Sequence, residues 1–153
     1  PFESVQYAAP AGDYDFGTYG TAWIPEVRGQ FSLFTPKGWG TEVKSTAVAS
    51  RWVHIPIPVA TRIAGTRMKL KYVEFCAKSS NGASTRPIQI DMYDNNGAFF
   101  STGISWWADN NMHCWGQTFT PFAFENLGIS VLLHFANTSH KITLFKAWAR
   151  VVP

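Results

Sequence analysis

Charge is scarce in this chain. Only 15% of its 153 residues are Asp, Glu, Lys or Arg, against about a quarter in ordinary globular domains. That composition, with 46% hydrophobic residues, excludes a disordered polyelectrolyte and requires a substantial core. Lys and Arg number 13, for a net charge of +3, and no run is denser than Arg67-Met68-Lys69-Leu70-Lys71. A nucleic-acid binder gathers such charge into a patch or stripe, so no nucleic-acid partner is expected. On a strand, Arg67, Lys69 and Lys71 simply share a solvated face. Long apolar runs are missing too. None reaches the ~18 residues of a transmembrane helix, so no membrane insertion is expected. Apolar periodicity of the helical kind never extends beyond about two turns.

Catalytic and metal signatures are equally thin. There is no G-x-S-x-G elbow, and His54, His113, His134 and His140 fall on different expected elements. No C-x-x-C or H-x-x-x-H spacing marks a zinc site. Asp13-Tyr14-Asp15 and Asp91-Met92-Tyr93-Asp94-Asn95-Asn96 are rich in oxygen ligands of the calcium kind, but such residues dominate turns in any case. Glu42, Glu74, Asp91 and Glu125 combine in many ways, and none stands out as a glycosidase pair. The expectation is no catalytic residue, no metal and no cofactor. Cysteine is limited to Cys76 and Cys114, two thiols that suit either a reducing or an oxidising compartment. A bridge between them needs Cα atoms within bonding reach, which spacing does not reveal. Asn137-Thr138-Ser139 is a glycan acceptor motif if the chain is secreted. The chain opens on Pro1 with no signal peptide, and the expectation is that a segment ahead of Pro1 has been removed.

Strand patterning is what the chain has in quantity. Val53, Ile55 and Ile57 alternate with Trp52 and His54; Ile88, Ile90 and Met92 alternate with Gln89, Asp91 and Tyr93. Ile129, Val131, Leu133 and Phe135 alternate with polar neighbours, and a similar pattern runs from Ile142 to Val152. Met68, Leu70 and Tyr72 share one phase, then the apolar positions slip to Val73 and Phe75, the mark of a β-bulge. Asp94-Asn95-Asn96-Gly97 is a hairpin turn. Roughly eight strands with turn signals every 8–12 residues predict an all-β fold. It is a single antiparallel β-sandwich, jelly-roll-like, over residues 21–153.

The turn Trp39-Gly40-Thr41, the strand Trp52-Val53-His54-Ile55-Pro56-Ile57-Pro58-Val59 and the segment Ile88-Gln89-Ile90-Asp91-Met92-Tyr93-Asp94 together carry a resemblance. From about residue 22 onward the chain resembles a family of small bacterial β-sandwich proteins. That family pairs a Gly-Trp-Gly-Thr-like turn with a Trp-Phe-His-Phe-x-Ile-Pro-Thr-Pro-Val-like strand. Val53 and Ile57 stand where that pattern has Phe and Thr. No activity is established for the family, so the resemblance implies a fold and leaves function open.

Aromatics make up 16% of the chain, with 7 Trp, 12 Phe and 5 Tyr, more than a core of this size uses. Trp106, Trp107, Asp109, Asn110, Asn111, Trp115 and Gln117 bring indoles and hydrogen-bonding side chains onto one connection. Rings of that kind stack on sugars while the amides and carboxylate bond hydroxyls. Extended backbone sends Trp106 and Trp107 to opposite faces. The leading expectation is a non-catalytic module that binds a glycan or other polar ligand through this Trp-rich loop. The alternative is a self-assembling extracellular subunit, a homo-oligomer, that uses residues 1–20 as an extended arm. Phe2, Tyr7, Tyr14, Phe16 and Tyr19 would then seat in a neighbour, unless the arm folds back over its own sandwich to cover an open edge. An enzyme of unstated class is the third reading, and the compartment expected is extracellular or cell-surface.

Overall fold

The computed structural model describes residues 12–153. In chain order the strands are β1 (Tyr14–Thr18), β2 (Ile24–Pro25), β3 (Phe31–Lys37), β4 (Gly40–Ser45) and β5 (Ala49–Pro56). Next come β6 (Arg62–Ile63), β7 (Thr66–Arg67), β8 (Lys69–Ser79), β9 (Arg86–Asp94) and β10 (Gly97–Gly103). The last three are β11 (Met112–Ala123), β12 (Gly128–Phe135) and β13 (Ile142–Val152). One sheet runs β11-β8-β13-β4-β3 with β1 also on β13; the other runs β10-β9-β12-β5-β2, and β6 pairs β7. The eight main strands thus form β4-β13-β8-β11 facing β5-β12-β9-β10. The chain crosses between sheets at β4–β5, between β5 and β8, at β8–β9 and again on each step from β10 to β13. First and last main strands lie side by side. This is the jelly roll, all of it antiparallel where the strands pair, that the alternation predicts.

Alternation places the core directly. Val73, Phe75 and Ala77 of β8 and Ile142, Leu144, Ala147, Ala149 and Val151 of β13 face Ile90, Met92, Ile129, Val131 and Leu133 of the second sheet, all essentially inaccessible. Phe75 is the hub. Its ring lies 6.1 Å from Trp23, 5.7 Å from Trp106 and 6.4 Å from Trp115. The expected slip in β8 is present: Arg150 sits opposite Tyr72 and Val151 opposite Leu70, so Lys71 is the extra residue. The β9–β10 hairpin turns at Asn95-Asn96, with the Asp94 carboxylate accepting from the Asn96 N–H (2.7 Å) and Gly97 at a φ of 113°. Where the edge strands β10 and β11 close one side of the sandwich, Phe99, Phe100, Phe119 and Phe122 meet edge to face at 5.1–6.0 Å.

Strand β13 is served by two partners on one side. β4 pairs with Ile142–Leu144 and β1 with Ala147–Val151. The gap between them falls at Phe145, whose carbonyl accepts the indole N–H of buried Trp23 (2.7 Å). Thr41 caps the neighbouring Gly20 carbonyl at 2.6 Å. Gly40 is required here, because a Cβ would come within 2.5 Å of the Leu144 carbonyl oxygen.

Cys76 and Cys114 are directly opposed on β8 and β11 and form a disulfide. The arm needs correction. Tyr14 and Phe16 lie in β1, laddered to β13 of the same sheet, so the sandwich begins at Tyr14 rather than residue 21. The gain is hydrogen bonding along an edge that β4 leaves open, the fold-back alternative for these residues. Tyr19 is 80% exposed, while Phe2 and Tyr7 lie outside the described residues. Asn137 is exposed in a turn, its Oδ1 accepting from the Ser139 N–H (2.8 Å).

Phe75→Ala empties the centre of the core and is expected to cost about 3–5 kcal/mol in chemical denaturation. A loss below about 1 kcal/mol would show that the three tryptophans do not depend on it. Reducing the disulfide is expected to lower stability by about 2–4 kcal/mol, read as the difference between denaturation midpoints with and without thiol; coincident curves would contradict it.

Candidate functional site

The connection from β10 to β11 starts as extended backbone, with Ile104 still donating to the Ile88 carbonyl (2.8 Å). Side chains therefore alternate: Ile104 and Trp106 point inward, Ser105 and Trp107 outward. Trp106 is 6% exposed and lies flat on Phe75, with planes 21° apart. Its Nε1 is buried and has no hydrogen-bond partner among the described residues. Trp107 is 41% exposed. One face of its indole is stacked on His113, centroids 4.4 Å apart and planes 7° apart, and Trp106 abuts it edge to face at 5.2 Å. The opposite face accounts for the exposure.

The polar side chains fix this arrangement. His113 Nε2 donates to Asp109 Oδ1 (2.7 Å), which also accepts the Asn111 N–H (2.8 Å). The Asn111 N–H first, and then His113, hold the Asp109 carboxyl below its ordinary range. Asn110 Oδ1 accepts the Gly82 N–H (3.1 Å) from the β8–β9 turn. A Cβ on Gly82 would overlap the Asp109 carbonyl oxygen, so the two loops meet only because that residue is glycine. The disulfide fixes the start of β11 to β8 just beyond His113.

Of the expected ligand residues, Trp107, Asp109, Asn110 and Asn111 do gather on this loop. Trp106 does not join them, since it faces the core. Trp115 is half-buried against Phe75, and Gln117 bonds the Thr118 carbonyl (2.7 Å) further along β11. His113, missing from the expected ligand set, is central; its i, i+4 spacing from Asp109 was the available signal.

Most of the carboxylates and histidines outside the loop are engaged by protein partners. Glu42 is paired with Lys141, Glu125 with Arg67, and Asp91 accepts from Ser101 (2.6 Å) and Gln89 (3.0 Å). Asp15 is paired with Arg150, so both oxygen-rich stretches are engaged by protein donors. His134 bonds Ser50 and His140 bonds Thr85. His54 bonds Ser130 (2.7 Å), with Glu26 4.0 Å from its other nitrogen. Ser130 lies mid-strand with partners on both sides, whereas acyl transfer needs an exposed hydroxyl beside free N–H donors. Glu74 lies with Cys76 and Cys114 at metal-ligand distances, but the sulfurs are bonded to each other. That leaves one carboxylate, which does not fit a metal site.

No protein-family profile matches the chain, and no curated protein matches its sequence. Solved structures share its fold. A low-affinity xylan-binding module, CBM86, from Roseburia intestinalis superposes with a TM-score of 0.55 at 10% identity, over 90% of this chain and 96% of that one. The CBM36-1 domain of a multidomain xylanase from the hindgut metagenome of Trinervitermes trinervoides gives 0.52 at 6% identity, with the same coverages. A cyclase from Fischerella sp. TAU gives 0.50 at 10% identity, over 88% of each chain. At such identities the likeness shows the fold alone: an antiparallel β-sandwich of a kind used both for binding carbohydrate and for catalysis.

Proposed function

We propose that this jelly roll is a non-catalytic glycan-binding module of an extracellular or surface-attached protein, with Trp107 as the stacking platform. One observation carries the reading: an indole held at a fixed angle by a histidine behind it, with its other face open to solvent. A side chain already ordered loses little entropy when a ligand arrives, and preorganisation of that sort is what makes a small exposed surface bind. Apolar sugar faces suit the ring, and Asn110 and Asn111 supply hydrogen bonds to hydroxyls beside it. A disulfide in a small β-domain agrees with an oxidising compartment. The xylan-binding neighbour makes xylan the first ligand to try.

Trp107→Ala is expected to weaken binding of soluble xylan or its oligosaccharides by about 2 kcal/mol, about thirtyfold in Kd, in isothermal titration. Trp107→Ala binding like the unaltered chain would remove the loop as the site. Acid should act through Asp109. Its folded pKa lies below the ordinary value of about 3.9, so its contribution to loop order is complete above that value and lost as pH falls through the lower folded one. The Asp109 carboxyl carbon, followed by nuclear magnetic resonance, should therefore titrate with a midpoint below about 3.9. A transition centred above that value would contradict the coupling.

A further inference from the structure

We propose that the outer face of the first sheet carries a second glycan site, a track along β13 that seats a linear uncharged oligosaccharide between Trp39 and Trp148. The proposal takes its ligand class from the reading above and stands on different residues. Outward positions of a sandwich are ordinarily small or charged. Here β13 presents Phe145 and Trp148, and each is doubled by a second ring. Trp39, 54% exposed in the β3–β4 turn, lies 5.8 Å from Phe145 with planes 32° apart. Tyr72 of β8 lies 5.1 Å from Trp148.

The second pair is built, not incidental. The Glu74 carboxylate, between them on the sheet, accepts from the Tyr72 hydroxyl and from Trp148 Nε1, both at 2.7 Å. Burial first, and then the bond to Glu74, push the Tyr72 hydroxyl up to about 12, so it remains a donor at any physiological pH. The Arg150 guanidinium lies 5.4 Å from the Trp148 ring centre and is itself gripped by Asp15 at 2.6 and 2.8 Å. On the flanking strands the positions level with Glu74 and Trp148 are Gly116 and Gly17, and the Tyr72 hydroxyl occupies the space that a Cβ on Gly116 would need. A shallow depression of ≈ 610 Å³ opens there. Another of ≈ 300 Å³ lies against Trp39 and Phe145.

Geometry and charge set the ligand. Phe145 and Trp148 are three residues apart on one strand, roughly 10 Å, a distance that an oligosaccharide spans and one sugar ring does not. At the Trp148 end Arg150 is paired with Asp15 and Lys71 with Asp13 (3.2 Å), whereas at the Trp39 end Glu42 is shared by Lys141 (2.5 Å) and Lys37 (4.0 Å), and Lys78 lines the same depression. The Trp148 end, where Asp15 and Glu74 balance Arg150 and Lys146, therefore offers aromatic faces and hydrogen bonds without a surplus of charge, which favours neutral hydroxyls there.

The test is isothermal titration of the chain, Trp39→Ala, Trp148→Ala and Trp107→Ala with xylose, xylotriose and xylohexaose, preceded by an array of neutral linear oligosaccharides. If the array favours another sugar, its oligomers replace the xylose series. Affinity should rise with length, and each track variant should weaken hexamer binding about tenfold with an unchanged far-ultraviolet spectrum. Trp107→Ala should leave the track's share of binding in place. Normal hexamer binding by both track variants overturns the proposal; if Trp107→Ala then abolishes binding, the loop site alone survives. Loss in the track variants with normal binding by Trp107→Ala supports the track and removes the loop. An unaltered chain that binds nothing on the array overturns both. Should Trp148→Ala fail to fold, Trp39→Ala, in an exposed turn, decides.

Discussion

Everything in this fold hangs on how the edge of β13 is shared. A central strand needs a partner on each side for every N–H and C=O it buries. β8 runs along one side, but β4 covers only the first residues of the other and β1 covers the rest. The interruption at Phe145 exposes a backbone carbonyl at the margin of the core, and an unpaired carbonyl there costs about 1–3 kcal/mol. Trp23 resolves this by donating its indole N–H while its ring fills the space against Phe75. One side chain thus closes the ladder and joins the packing of both sheets. The departure of the chain from flat pairing at this point also turns Phe145 and Lys146 both outward, which is how the outer face acquires its aromatic stripe.

The strands themselves were readable because alternation is a local property. Val53, Ile55 and Ile57, or Ile129 through Phe135, declare their buried face without knowledge of any partner, and the slip after Tyr72 foretells a bulge. The opposite directions of Trp106 and Trp107 follow from the same period. Partner choice is non-local, and there the reading weakens. Tyr14 and Phe16 sit in a stretch punctuated by Gly and Pro, and only the open edge of β13 makes that stretch a strand. Trp115 resembles a ligand residue until register places it against Phe75. Glu74, Tyr72, Trp148 and Trp39 are spread across two strands and a turn; no spacing in the chain announces that they meet.

Two aromatic surfaces emerge by different means. The loop surface depends on a short-range device, an Asx-type turn at Asp109 that captures His113 and sets it behind Trp107. The sheet surface depends on long-range register, which brings one carboxylate under two aromatic side chains. Both spend hydrogen bonds on holding rings still rather than on the solvent, and that use of polar groups separates them from the Phe99–Phe122 cluster, whose rings simply pack.

The disulfide has a mechanical consequence. β11 is an edge strand, and an edge strand under tension peels rung by rung, each hydrogen bond bearing the load alone. Cys114 stands near the end of β11 closest to Trp107, and its partner Cys76 lies on β8, itself flanked by β13. A pull on anything held at Trp107 meets a covalent crossbar before it reaches the rest of the ladder, and the force passes into the middle of the sheet. The loop is thereby tied covalently to the interior of the sheet.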